Sequence, residues 1–585
     1  MRQPSIISFI TDRNKYFLSL FILCILNLLY MHYFFRLSFR DGSEYLVYAY
    51  HWITNFMLTI FDVTLLLSMF LLLTRGRTKF CLCLTFVFTW LWSVINIVYG
   101  RFFHHYLPLS SICEAPALTD SMVLSSALSG FRWTDTFYIF TLTLFIFIYR
   151  KSRLKKSGKI MALWCITTLI ITSCSPYVIY TVYHIANPSS RYNWKLYKIR
   201  MKNDIYRIMP IKDCFPNVVR FQWGCATIAI ADICDAMRSR DLTQKQINEI
   251  VEMGIGNNKV SKNTRPASIQ NVTFIILESF LSASIDLKIN GKAITPNLNN
   301  LKADTSVYYN GCVKPNITIG ESGDGQFIYM TGILPLRFNI TVGIVNNQRL
   351  PGLPGLLKSQ AGIQRTEIII PGLPTVWRQN EMNIAYGIDH MLSASSLFNN
   401  VEITDKEVFD AAIRSGKSQN EPFFSMILSC STHMPYDKNI DASFIINDST
   451  LPESYRHYLN ACHFADIQIG KYLSELKKKG IYENNLIIIA ADHDAHLDLL
   501  GMEGKIANYL PLFIINGDIN NAKAWHGEMN QIDIYTTILD LLGIETDWHG
   551  LGNTILSTNY VNPVSDKAWN VSEWIIRGDY FSKGQ

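Results

Sequence analysis

The run NLIIIAADHDAHLDL, residues 485–499, decides how this chain is read. Residues 486–490 are wholly apolar and have the length of one strand. A strand with no polar face is covered on both sides, which is the condition of a strand inside a parallel sheet. The run then turns at once to Asp492, His493 and Asp494, with His496 two places on. In open sheets of this kind ligands bind beyond the carboxyl ends of the strands. A central strand is also a rigid place to mount them. Asp494 and His496 either orient the ligands from behind or are solvated loop residues.

Further apolar runs lie at 272–277, 367–370, 423–428 and 512–515. Each is read as a strand buried on both faces of a parallel sheet. Between them, 455–479 shows a helical stripe of Leu459, Cys462, Ile469, Leu473 and Leu476, stopped by Gly480. A second helix spans 532–542 and ends at Gly543. From about residue 268, then, the chain predicts an open, mostly parallel α/β sheet with helices on both faces. Three strand ends supply Glu278, the Asp492-His493 pair, and Thr432-His433. Hard oxygens plus one nitrogen suit a divalent cation such as Mn2+, Mg2+ or Zn2+. Taken singly, each of these residues has an ordinary reading as a turn, a cap or a surface side chain. Their shared edge sets them apart.

The stretch ITIGESGDGQF, residues 317–327, offers a nucleophile. Gly320, Gly323 and Gly325 let backbone approach a ligand. A helix is predicted from Gln326, and its first amides attract phosphate oxygens. Ser322 sits in the turn before it, where a metal would lower its hydroxyl pKa. The plain alternative is a flexible glycine loop with an incidental serine.

The chain has 585 residues, 49% of them hydrophobic, and the apolar ones concentrate before about residue 186. Five stretches are long and apolar enough to span a bilayer: 16–35, 56–74, 80–99, 134–149 and 160–185. The first is too long for a cleaved signal peptide and is followed by four more. The basic loops 75–79 and 150–156 belong in the cytoplasm. That places the N-terminus inside, with loop 100–132 and everything after 185 outside; Arg36 and Arg40 run against this. Residues 186–265, with Tyr192, Trp194 and Tyr197, read either as a segment lying along the membrane surface or as a linker with a helix near 242–253. The expected domains are 1–185 in the membrane, 186–267 as linker and 268–585 as catalytic domain. A net charge of +6 is too small and too scattered along the chain to suggest nucleic acid as a partner. Twelve cysteines form no CxxC pair. Cys81, Cys83 and Cys165 read as small hydrophobes. Cys214, Cys225 and Cys234 are close enough in sequence for one disulfide.

Five stretches in order carry a family resemblance: Ile275-Ile-Leu-Glu278-Ser-Phe280, Thr295-Pro-Asn-Leu298, Gly320-Glu-Ser322-Gly-Asp324, Ser431-Thr-His433-Met-Pro435-Tyr436 and Ala491-Asp492-His493. Together they resemble the lipoteichoic acid synthase-like phosphotransferases of the alkaline phosphatase superfamily, in which a sulfatase-type extracytoplasmic domain follows five membrane helices. The resemblance covers about residues 268–555. It implies that Glu278, Asp492 and His493 bind one divalent cation, Mn2+ before Zn2+ or Mg2+. Ser322 stands where the family has a threonine nucleophile that also ligates the metal, and Thr318 is the fallback. His433 matches a histidine that contacts the phosphoryl group or its leaving oxygen. Trp377 and Arg378 fall in a region similar to one that binds the phosphoglycerol head, one residue out of step. Residues 574–580 are like a closing strand.

There are also departures. Serine replaces threonine, Ile370-Pro371-Gly372 replaces an aromatic-histidine stretch, and Asp494 follows the Asp-His pair. The formylglycine sulfatase signature is absent at Ser322. The implied function is transfer of phosphoglycerol or phosphoethanolamine from a phospholipid donor to an envelope glycan or lipid acceptor, through a phosphoryl-serine intermediate. The protein would sit in a bacterial cell membrane with its catalytic domain outside. Alternatives are a metal-dependent phosphodiester or sulfate ester hydrolase and a catalytically dead membrane sensor.

Overall fold

The computed structural model describes residues 6–38, 49–103, 107, 119–152, 154, 158–186, 241–254, 269–337, 339–399, 403–415, 421–436, 444–556 and 558–583. The chain forms two compact units. One comprises Met1–Leu109 and Ala127–Ser239, the other Ser110–Ser126 and Arg240–Gln585.

The N-terminal helices are α1 (Ile6–Ser38), α2 (Ala49–Leu73), α3 (Thr78–Phe103), α4 (Ser121–Ser129), α5 (Thr136–Lys151) and α6 (Gly158–Ala186). Among the described residues three spans are long and apolar enough to cross a membrane: Lys15–Phe34, Phe56–Leu73 and Thr78–Phe102. A fourth arises if Val123–Ser129 and Trp133–Lys151, bent by 79°, count as one. The structure thus supplies three to four of the five expected spans. The expected span at 134–149 falls short on length alone, since α5 has only 16 residues, below the roughly 20 a bilayer needs. In α6 the described apolar segment is Met161–Ser175. Polar side chains link the helices of this unit. Thr141 Oγ1 donates to Asn27 Oδ1 at 2.9 Å, and the Arg101 guanidinium grips both Asp135 oxygens at 2.6 and 2.8 Å. Away from water such bonds act as interhelical glue.

The second unit is built on an eight-stranded sheet. Its strands are β1 (Asn271–Leu277), β4 (Tyr308–Lys314), β5 (Arg365–Ile370), β6 (His390–Ser393), β7 (Phe423–Leu428), β8 (Asn485–Ala491), β9 (Leu510–Ile515) and β10 (Met529–Asn530), with β2 (Lys288–Ile289) and β3 (Lys292–Ala293) pairing separately. The order is β10-β4-β9-β8-β1-β7-β5-β6. Every expected strand is present. The one at 512–515 needs a correction: β9 runs antiparallel to both β8 and β4, while the other seven strands share one direction. β1, β7, β8 and β9 are buried along their whole length. All-round burial shapes composition, and strand direction leaves no trace in it.

Around the sheet lie α7 (Gln244–Gly254), α8 (Glu321–Thr331), α9 (Asp405–Arg414), α10 (Glu453–Lys478), α11 (Asp533–Leu541) and α12 (Asp566–Gly578). The helices expected at 455–479 and 532–542 are α10 and α11. The helix expected from Gln326 begins instead at Glu321, so Ser322 lies within its first turn. Residues 574–580, likened to a closing strand, are instead the last turn of α12 and the two residues that follow it. Ala568, Val571, Ser572, Ile575 and Ile576 are buried at helical spacing, and Ser565 caps the helix by accepting from Ala568 N. α7 belongs to this unit: Ile250 is in its core, and a Cβ on Gly254 would fall within 1.9 Å of the Trp548 ring. Tyr192, Trp194, Tyr197, Cys214, Cys225 and Cys234 lie outside the described residues.

Candidate active site

β8, β1 and β7 are neighbours, so their carboxyl ends open side by side. Backbone pairing continues past the strands, with Asp492 N donating to Leu277 O (3.0 Å) and Ser429 N to Ile276 O (2.9 Å). This puts Glu278 and Asp492 in adjacent register. The chain then turns at Ser279, whose φ is +48°. Such a conformation costs about 1–3 kcal/mol and persists only where the surroundings enforce it. Here Ser279 N donates to Asp492 Oδ1 (2.9 Å), Ser279 Oγ donates to Glu278 Oε1 (2.7 Å), and Glu278 N donates to Ser429 Oγ (2.8 Å). Ligand atoms of Glu278, Asp492 and His493 lie within 4.8 Å of one another, all buried. His493 Nδ1 donates to the Asp494 carbonyl at 2.8 Å. Nε2 is therefore turned to the carboxylates, 3.2 Å from Glu278 Oε1 and 3.8 Å from Asp492 Oδ1.

α8 brings the fourth group. Asp324 folds back so that Oδ2 accepts from Thr318 N and Gly320 N, each at 3.0 Å, and secures the entry to the helix. Ser322 Oγ then lies 3.1 Å from Glu278 Oε2 and 3.3 Å from His493 Nε2. Two glycines permit this approach. A Cβ on Gly325 would fall 2.4 Å from the Asp492 carbonyl oxygen, and one on Gly323 would fall 3.0 Å from the Trp377 indole. Tyr329 OH donates to the Ala491 carbonyl, fastening the far turn of α8 to β8.

The electrostatics suit a cation. Burial would raise the Glu278 carboxyl, but the hydrogen bond and charge of His493 outweigh it and hold Glu278 well below the carboxylate range. Asp492 is pushed up to about 7 by burial and then by the Glu278 charge. Glu321, half-buried beside His493 Nδ1 at 3.4 Å, is pushed up to about 8, first by desolvation. His493 is held well above its ordinary value; burial opposes this, and Asp492 and Glu278 override it. Crowded carboxyls of this kind are relieved by a divalent ion. Two carboxylates, an imidazole nitrogen and a hydroxyl within bonding reach of a common point fit Mn2+, Zn2+ or Mg2+.

A sulfatase family model matches residues 270–544, which contain the sheet and every group above. Lipoteichoic acid synthase 2 of Bacillus subtilis (strain 168) is 27% identical over 503 residues, covering 80% of this chain and 72% of that protein. The lipoteichoic acid synthase of Staphylococcus saprophyticus is 23% identical over 534 residues, covering 86% and 78%. The chain is thus similar to the lipoteichoic acid synthase-like phosphotransferases of the alkaline phosphatase superfamily. Its fold is also that of the lipooligosaccharide phosphoethanolamine transferase A of Neisseria meningitidis, an integral membrane protein. That structure aligns with 92% of this chain and 98% of its own, with a TM-score of 0.52 at 13% identity.

The remaining expected residues of this phosphotransferase fall as follows. Thr318 Oγ1 lies 2.8 Å from Asp324 Oδ2 and 2.7 Å from the Leu336 carbonyl oxygen, so its hydroxyl is committed to the loop that starts α8. Trp377 stands against Gly323, and both Trp377 and Arg378 have positive φ, +50° and +49°. His433 Nδ1 is 2.7 Å from the Met434 carbonyl oxygen, and Thr432 Oγ1 donates to the Glu278 carbonyl.

Sequence reasoning missed several supporting groups. Ser279 and Glu321 touch the ligands themselves. Gln531 Nε2 donates to the Asp492 carbonyl at 2.6 Å. Asp405 Oδ1 accepts from Cys430 N (2.6 Å) and Ser431 N (3.1 Å), bracing the turn that carries His433. Burial pushes Asp405 up to about 6. Its unfolded value is about 3.9, so the folded value is the higher one. Its share of stability is then full below about pH 4 and lost as pH rises through about 6. Between pH 4 and 7 wild type should lose about 2–3 kcal/mol relative to Asp405→Asn, read as a shift in their Tm difference. A Tm difference that does not move with pH would contradict this.

Proposed function

We propose that this phosphotransferase moves a phosphoglycerol or phosphoethanolamine group from a membrane phospholipid to a hydroxyl of an envelope glycan or lipid. The observation that carries the reading is the position of Ser322 Oγ, 3.1 Å from Glu278 Oε2 and 3.3 Å from His493 Nε2, in the first turn of α8. Ser322, its hydroxyl proton already given up to solvent, attacks phosphorus as the alkoxide, the bond from phosphorus to the diacylglycerol oxygen breaks, and His433 gives that oxygen a proton. An acceptor hydroxyl then gives its proton to His433 and attacks the phosphoryl-Ser322 ester, which releases the serine. First-turn amides of α8 face the phosphate oxygens. Trp377 walls the head group, and Arg378 pairs with its charge. A divalent cation held by Glu278, Asp492, His493 and Ser322 would lower the serine pKa and offset the phosphoryl charge. Five membrane helices, with the N-terminus on the cytoplasmic side of a bacterial cell membrane and the catalytic unit on the other side, keep the enzyme with its lipid donor.

The test uses full-length protein loaded with Mn2+ or Zn2+ in vesicles of phosphatidylglycerol or phosphatidylethanolamine. Diacylglycerol release from at least one lipid should rise when an acceptor glycolipid is added. Release that ignores acceptor would identify a hydrolase. No release from either lipid would refute the reading.

A further inference from the structure

Residues 119–126 lie in sequence between α3 and α5, yet they group with the unit that holds the sheet. Two contacts seat their described part. Asp120, buried to 5% exposure, accepts from Leu373 N through Oδ2 at 2.9 Å in the loop that leaves β5. The same oxygen lies 2.5 Å from where a Cβ on Gly372 would fall, so the glycine makes room for the carboxylate. Six residues on, Ser126 Oγ donates to the Met434 carbonyl at 2.8 Å and stands 3.3 Å from His433 Nδ1.

His433 Nδ1 is itself 2.7 Å from the Met434 carbonyl oxygen. A carbonyl only accepts, so Nδ1 carries the proton, shared between that oxygen and Ser126 Oγ. Nε2 is then the nitrogen that exchanges a proton with substrate. From these contacts we propose that Ser126 is a positioning residue of the active site. It fixes the ring orientation and tautomer of His433, and Asp120 pins the segment that delivers it. A group that lies in sequence between α3 and α5 thereby completes the acid-base apparatus of the unit that holds the sheet. The inference rests on the reading of His433 as the proton donor to the leaving oxygen.

That reading supplies the experiment. Diacylglycerol leaves as a strongly basic alkoxide and needs a proton; 4-nitrophenolate leaves without one. First-turnover rates of the full-length enzyme are compared on phosphatidylglycerol and phosphatidylethanolamine vesicles and on the 4-nitrophenyl esters of the same head-group phosphates. Ser126→Ala should slow diacylglycerol release about 10-fold or more, the scale seen when a group that orients a catalytic residue is removed, and leave 4-nitrophenolate release within about twofold. Ser126→Thr should restore the lipid rate, and Asp120→Ala should show the same selective loss. Equal losses on both leaving groups, or none on either, would overturn the role of Ser126. Wild type that releases neither product would instead overturn the phosphotransfer reading, and this inference with it; that outcome is read before any variant is made.

Discussion

Alanine at position 322 is expected to cut lipid turnover on the order of 10^3-fold or more and to abolish the phosphoryl adduct. Loss of a nucleophile leaves only the catalysis that binding and charge stabilisation provide. Two nearby hydroxyls are poor substitutes. Thr318 is tied to Asp324 and Leu336, and the buried Ser279 Oγ is held at 2.7 Å by Glu278 Oε1. The fold should survive, because a part-buried hydroxyl contributes only about 1 kcal/mol. Glu278, Asp492 and His493 remain to hold an ion, so metal content should fall much less than activity. Ser322→Thr keeps the hydroxyl and should stay active. Mass spectrometry of protein quenched during turnover checks the prediction. An adduct that persists in Ser322→Ala would remove this serine from the mechanism.

Gly325→Ala is expected to be almost as damaging without touching a single functional group. Its Cβ would sit 2.4 Å from the Asp492 carbonyl oxygen and 2.9 Å from the Asp492 Cα, both backbone atoms. That carbonyl cannot retreat freely, since Gln531 Nε2 holds it at 2.6 Å and Tyr329 fastens the preceding residue. Either α8 moves, taking Ser322 away from Glu278, or the Asp492-His493 pair moves. Overpacking costs about 1–3 kcal/mol, and displaced supports lower metal affinity about 10–100-fold. The control is Gly355→Ala in the helix Leu353–Gln360, where the added methyl would meet only the Tyr386 carbonyl oxygen, at 3.7 Å. That variant should be neutral, or stabilised by about 0.5–1 kcal/mol through helix propensity. Metal content by elemental analysis and Tm of the two variants read both effects. Equal metal content and Tm in both would contradict the close packing of α8 on β8.

The sequence was most legible where burial dictates composition. β1, β7 and β8 are buried throughout and mostly apolar, and their ends carry Glu278, His433 and Asp492-His493 in plain view. β4 escaped notice because Tyr308–Lys314 is only partly buried and holds Asn310 and Gly311. The helical period of α12 was present in Ala568, Val571, Ser572, Ile575 and Ile576, but the likeness of residues 574–580 to a closing strand obscured it. The supporting groups were harder to see. Glu321 and Asp324 lie in a glycine-rich stretch that reads as exposed loop, yet Asp324 is fully buried. Ser126 and Asp120 lie hundreds of residues from the side chains they touch. Nothing local marks such a partner, because its role exists only once the chain has folded.

The central claim is that Glu278, Ser322, Asp492 and His493 share one cation. Anomalous scattering from crystals of the full-length protein grown with Mn2+ or Zn2+ tests it most directly. A single peak about 2.0–2.3 Å from ligand atoms of all four residues is the predicted result. A peak bound by other residues, or none at this cluster from protein that turns over lipid, would contradict it.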